Sequence, residues 1–206
     1  MKKLIFALIL AVMLIAVPVE LFAVFSGDPV QQFPMPFLLT SGGQGAGSKS
    51  LRMLVQLTKK YTAAESGGDF WLEDETPERY TYIDSGNFKT LVIVISVTEK
   101  GLGASGITIE DEIGFLKVVL EKAKAKGMKI IAISMEADAR APKIPTNGNE
   151  RIIDLVCPQA DYLISIKANN TDGRFTEISK KYGIPLTIVD SANVDMRAIV
   201  QEIFKK

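Results

Sequence analysis

The chain has 206 residues, of which 47% are hydrophobic and 23% charged, with 24 basic and 24 acidic side chains. That balance is ordinary for a globular protein, and it gives no electrostatic case for nucleic acid or an anionic membrane surface as a partner. The absence of histidine excludes Ser-His-Asp and Cys-His catalysis and any His-ligated zinc.

The first 26 residues read as an export leader. Lys2 and Lys3 precede an apolar run over residues 4–17, and Pro18 follows. The run is 14 residues long, shorter than the ~20 needed to span a bilayer as a helix. Cleavage fits after Ala23 or after Ser26; an uncleaved anchor is the rival reading and would bury Glu20. Setting aside Lys2, Lys3 and Glu20 leaves 22 basic against 23 acidic residues. Both readings place residues 27–206 outside the cytoplasm, secreted, periplasmic or held at the membrane only by the leader, as a single α/β domain.

Along that domain, a short apolar strand is predicted over 37–40, followed by the glycine-rich loop "SGGQGAGSKS" (41–50). Leu51, Leu54, Val55 and Leu57 then recur at helical spacing. Short strands are predicted at 70–72 and 80–83. Residues 90–97, "TLVIVISV", are a continuous apolar run of the kind buried on both faces of a parallel sheet. A second glycine-rich loop, 99–106, precedes a helix with Thr108 and Asp111 in capping-box positions. Its inner stripe is Ile113, Leu116, Leu120 and Ala123, and Gly127 ends it. Strands at 129–135, 160–166 and 184–190 alternate with helices at 150–157, 174–183 and 192–206. The last helix places Met196, Ile199, Val200, Ile203 and Phe204 on one face. Such alternation predicts a three-layer α/β sandwich around a doubly wound, mostly parallel sheet of five or six strands, Rossmann-like or flavodoxin-like.

In such sheets ligands bind beyond the carboxyl ends of the strands, where loops feed helix N-termini. Two loops have the composition for it. In the first, Gly43 and Lys49-Ser50 match a Walker A loop, but Ser48 stands where its second glycine belongs. The apolar strands end without a magnesium-binding Asp, and an exported domain meets little ATP, so nucleotide hydrolysis is not expected. The weaker expectation is a cradle for a small anionic or polar ligand, built from Ser41, Gly43, Gln44, Gly45, Gly47, Ser48 and Lys49. Ser48 would cap the following helix, and backbone amides of residues 45–48 would donate. Lys100, Gly101, Gly103 and Ser105 would complete it from the second loop. A tight turn without ligand accounts for the same glycines. Glu110, Asp111 and Glu112 read as acids favouring a helix dipole.

The acids at other strand ends, Asp84, Glu136, Asp138 and Asp190, can hold a hard cation only if they converge; they read as solvated loop acids rather than a metal site, and the sequence points to no particular cofactor. Asn169, Asn170 and Asp172 in "NNTDG" suit either a hydroxylated ligand or a bare turn. Cys157 has no partner for an internal disulfide and sits among apolar neighbours, as a buried thiol.

The segments "LLTSGGQGAGSKSLRMLV", "FKTLVIVISVTEKGLGASGITIEDEI", "AKAKGMKIIAI" and "ADYLISIKANNTDGRFTEISKKYGIPLTIVD" resemble an exported bacterial family, domain of unknown function 6305, over residues 37–190. The resemblance implies a signal-bearing α/β domain and no particular activity. It also implies a Gly- and Arg-rich stretch with a histidine after the strand at 129–135. This chain has "EADARAPKIPTNGNE" there, with Arg140 alone of comparable chemistry.

Three functions stay open on the sequence. The first is a non-catalytic binding module at the two loops. The second is an extracytoplasmic hydrolase or transferase drawing an acid or base from Asp84, Glu136 or Asp190. The third is a structural or partner-binding envelope domain, which a blocked crevice beside an exposed apolar patch would favour.

Overall fold

The computed structural model describes residues 25–73, 81–136, 140, 144 and 146–206. The described strands are β1 (Phe25–Gly27), β2 (Phe37–Gly42), β3 (Phe70–Leu72), β4 (Thr90–Ile95), β5 (Lys129–Ser134), β6 (Tyr162–Ile166) and β7 (Leu186–Val189). The helices are α1 (Gly47–Leu57), α2 (Thr81–Ser85), α3 (Glu99–Ala104), α4 (Ile109–Ala125), α5 (Gly148–Val156), α6 (Arg174–Tyr182) and α7 (Val194–Ile203). No described helix is long and apolar enough to cross a membrane.

All seven strands form one sheet in the order β1-β7-β6-β5-β4-β2-β3. Six are parallel, and β1 runs antiparallel to β7 at the edge. The parallel strands follow the flavodoxin-like order, second-first-third-fourth-fifth, extended by a sixth. The strand count corrects the expected five or six. The additional strand starts at Phe25, within the segment read as leader, and Asp28 staples it: its amide donates to Leu186 O (2.8 Å) and its carboxylate accepts from Leu186 N (2.8 Å).

The central strand explains the layering. Alternate side chains of β4 point to opposite faces: Leu91, Ile93 and Ile95 enter one core and Val92 and Val94 the other. The first core is closed by α4, α5 and α6 through residues such as Leu116, Leu120, Ile153 and Phe175. The second is closed by α1 and α7 through Leu51, Val55, Met196, Ile199, Val200 and Ile203. The predicted stripe of the last helix is therefore buried as expected. Phe37 of β2 stacks on Phe204 at 3.9 Å, which locks the carboxyl end of the chain against the first parallel strand.

The capping box of α4 forms: Thr108 Oγ1 accepts from Asp111 N (3.1 Å) and Thr108 N donates to Asp111 Oδ2 (2.9 Å). Replacing Thr108 by alanine is expected to cost about 1 kcal/mol, read as a lowered Tm; an unchanged Tm would show that packing alone holds the helix end.

Three local expectations are corrected. Residues 81–85 form α2 rather than a strand, because Glu73 supplies both carboxylate oxygens to the amides of Tyr82 and Ile83 at 3.1 Å each. Tyr80 lies outside the described residues. Residues 99–104 are helical rather than loop, with Thr98 as cap accepting from Gly101 N (3.0 Å). Ser48 does not cap α1; Ala46 stands at the cap position with no side-chain bond, and Ser48 lies inside the first turn.

Candidate functional site

The sheet order places its switch point between β2 and β4, whose carboxyl ends pair as Gly42 with Ile95. Neighbouring strands feed helices on opposite faces there, so a crevice opens unless something fills it. Both predicted loops do reach this rim, and they fill it with each other.

After Gly42 the chain turns back over β4. Gly43 takes φ +121° and Gln44 φ +61°, and Gln44 pairs antiparallel with Val97. Ser96 N donates to Gly42 O (2.9 Å) and Gly45 N to Ser96 O (2.7 Å). The Gln44 side chain is buried. Its Nε2 donates to Glu112 Oε2 (3.2 Å) and its Oε1 accepts from Ser105 Oγ (3.0 Å), while Glu112 Oε1 accepts from Gly43 N (2.8 Å). Gln44 is thus a plug in the switch point, held from both loops. A non-glycine residue at positive φ is uncommon, and here the buried carboxylate of Glu112 fixes it.

The glycines serve the same closure. A Cβ on Gly45 would lie 1.7 Å from Ser96 Oγ, one on Gly43 2.3 Å from Val97 Cγ2, and one on Gly101 2.0 Å from Gln44 O. On Gly47 it would lie 2.8 Å from Val94 Cγ1. Only Gly103, among the predicted site glycines, would meet nothing within 4 Å. The backbone approaches another strand here, and the amides of Gly43 and Gly45 are spent inside the protein. Ser41 is buried within β2, Gly47 and Ser48 are buried in the first turn of α1, and Lys49 and Lys100 are exposed. The reading of Gly45 as a ligand donor is corrected accordingly.

The positive end of α1 also meets an internal anion. Ser96 Oγ donates to Glu136 Oε2, and Glu136 Oε1 lies 3.6 Å from where a Gly47 Cβ would sit. Glu136 is half-buried; Ser96 is fully buried. A carboxylate at this position is favoured by the helix dipole.

Beyond Glu136, at the ends of β5 and β6, Asn169 donates through Nδ2 to Ser134 Oγ (2.7 Å) and to the Glu136 carbonyl (3.2 Å). Asn169 is 2% exposed, yet its Oδ1 has no hydrogen-bond partner. An unmatched buried acceptor costs about 1–3 kcal/mol. Arg140 closes this side of the rim. Its Nε and Nη2 donate to the two Glu150 oxygens at 2.8 and 3.0 Å, Nη1 and Nη2 to the Asp172 oxygens at 3.0 Å each, and Nη1 to Asn169 O. The guanidinium also lies 5.4 Å over the Phe175 ring. Burial works against its charge, but the bonds to Glu150 and Asp172 outweigh it and raise its pKa. Arg140 is therefore a tether within the protein.

The remaining candidates are dispersed. Asp84 pairs with Lys122 in the last turn of α4 (2.5 Å), towards the amino ends of the strands. Asp190 faces Lys167 at 3.6 Å on the surface, and Asp138 lies outside the described residues. Asn170 Oδ1 accepts from Phe175 N (2.9 Å), so "NNTDG" serves as the start of α6. Burial pushes the Cys157 thiol pKa well up and leaves it inert. Among the described residues no group of three His, Cys, Asp or Glu is placed to hold a metal.

The sequence reading missed Ser96, and it read Glu112 as a first-turn acid, which it is, without its buried bonds to Gly43 and Gln44. Glu112 did leave a signal, since it precedes Leu116 by four residues on the inner stripe of α4, where an acid needs a buried partner.

Fold and rim together define a flavodoxin-ordered α/β domain whose switch point is closed by its own side chain. The chain belongs to the family described as Domain of unknown function (DUF6305), which matches residues 34–204. No curated protein matches it. Among solved structures it is similar to a GDSL-like lipase from Bacteroides thetaiotaomicron VPI-5482, at 12% identity and a TM-score of 0.34. The match covers 73% of this chain, and this chain spans 65% of that protein's length.

Proposed function

We propose that this protein is an exported, non-catalytic binding domain that takes a polar solute at the rim over β4, β5 and β6, around Glu136. The observation that carries the reading is the unmatched Asn169 Oδ1, buried beside the Glu136 segment. Together with the half-buried Glu136 carboxylate it makes this end of the sheet rich in acceptors. Its complement is a solute rich in hydrogen-bond donors, such as an amine or a polyol. The expected anion gives way to this class, because an anion at the start of α1 would meet Glu136. Export rests on Lys2, Lys3 and the apolar run behind them. The non-catalytic reading rests on Ser96, whose hydroxyl bonds a carboxylate but is sealed beneath Gly45.

The test is a thermal-shift series on the full chain with putrescine, sugars, inorganic phosphate and small carboxylates. A donor-rich solute at about 100 times its Kd should add ~2.7 kcal/mol of stability, and Glu136→Gln and Asn169→Leu should each remove that gain. Stabilisation by phosphate that survives Glu136→Gln would overturn the assignment. The partner-binding reading also has an observation in its favour, since the β2–β4 crevice is filled and an apolar groove is exposed elsewhere.

A further inference from the structure

The lining of that groove includes neither Glu136 nor Asn169. Helices α1 and α7 both leave the carboxyl rim and cover one face of the sheet. Ser50, Met53, Leu54 and Leu57 of α1, spaced by three, four and seven residues, face Asn193, Val194 and Arg197 across a groove of about 370 Å³. Met53 is 62% exposed, Leu57 58% and Val194 41%. Among the described residues these are three of the five large apolar side chains left in water, and clustering of that kind marks an interaction surface.

Charge selects the occupant. Residues 47–60 contain Lys49, Arg52, Lys59 and Lys60 and no acid. Lys59, Lys60 and Arg197 are exposed, whereas Asp195 of α7 is buried and accepts from Ser191 N (2.7 Å). A twofold copy of this chain would bring these cations against one another. An acidic surface would not. The position of β1 points the same way. Phe25 pairs with Val189 and packs with Ala192 into the core beneath α7, next to Asn193 and Val194. Seven residues, 18–24, separate Phe25 from the apolar run at 4–17, a reach of at most about 25 Å. With the leader uncleaved, a bilayer holding that run lies within about 25 Å of Phe25.

We propose that the α1–α7 face docks on an anionic membrane surface. Met53, Leu57 and Val194 enter the boundary between headgroups and acyl chains, and Lys59, Lys60 and Arg197 meet the acidic headgroups. The one exposed acid of α7, Glu202, is paired with Lys205 at 2.6 Å, so the chain's neutral total charge conceals a basic face.

The test labels the full-length Leu57→Cys protein with an environment-sensitive fluorophore. Cys157 is fully buried, so the label reports position 57 alone. With vesicles of phosphatidylglycerol and phosphatidylcholine the emission should shift to the blue. The shift should disappear in phosphatidylcholine alone, at about 1 M salt, where charges are screened beyond ~3 Å, and in the triple variant Lys59→Glu, Lys60→Glu, Arg197→Glu. A label at Glu177→Cys, exposed on α6 across the sheet, should not move. No shift, an equal shift on neutral vesicles, or a lipid-independent shift that grows with protein concentration would each overturn the proposal, the last by identifying a second copy as the occupant.

Discussion

Gly101→Ala should lower the stability of this protein by about 1–3 kcal/mol, while Gly103→Ala should leave it unchanged or raise it by up to ~1 kcal/mol. The two glycines lie two residues apart in the same short helix, α3. A Cβ at 101 would sit 2.0 Å from the carbonyl oxygen of Gln44, a backbone atom with no room to give. Relief requires α3 to back away, which strains the bond from Ser105 Oγ to Gln44 Oε1. A Cβ at 103 would meet nothing within 4 Å and would only favour the helix. For a chain of this size each kcal/mol moves Tm by roughly 2–4 °C, so the pair separates readily in a melting experiment. Equal Tm values for the two variants would mean that the loops do not lock together as described.

Arg140→Met should cost more, about 3–5 kcal/mol, because it leaves the buried Glu150 carboxylate with Arg174 at 3.9 Å as its remaining cation. Both side chains are about 95% buried, at 4% and 5% exposure. The loss should also depend on pH. Hydrogen bonds from Arg140 are the chief reason the Asp172 carboxyl titrates below its usual value; burial opposes them and the Arg174 amide assists. A depressed folded pKa contributes stability that is fully present above the unfolded value of about 3.9 and is lost as pH falls through the folded value. The variant lacks that contribution. Urea denaturation should therefore show the gap between wild type and Arg140→Met widest near neutrality and narrowing below about pH 4. A gap constant down to pH 2 would remove Asp172 from the tether.

The parts of this fold that could be read from the sequence are those set by local pattern. The unbroken apolar run of β4 signals burial on both faces, and the Thr108–Asp111 spacing signals the start of α4. The convergence of two glycine-rich loops on one rim follows from parallel strands alone. What those glycines do does not follow, because composition cannot distinguish a backbone that approaches a ligand from one that approaches Ser96 or Gln44. Helix α2 was illegible for a related reason: the amides of Tyr82 and Ile83 are capped by Glu73, nine and ten residues upstream, and the local run "YTYI" looks like a strand. Glycines 101 and 103 disguised α3 as a loop. The tether built on Arg140 joins residues from 140 to 172, and no spacing rule relates them. Glu136 and Asn169 were legible only as two separate polar positions, and nothing in their spacing joins them as the fold does.

The edge strand β1 overlaps the segment that the sequence marks as an expected export leader. A cut after Ala23 spares all three of its residues. A cut after Ser26 takes Phe25 and Ser26 and leaves the Asp28 staple holding little more than Gly27, so the hydrogen-bonding groups of Ile188 and Val189 would face solvent as an open template for another chain. If the expected leader is cleaved, only the cut after Ala23 keeps β1 whole and its edge of the sheet covered.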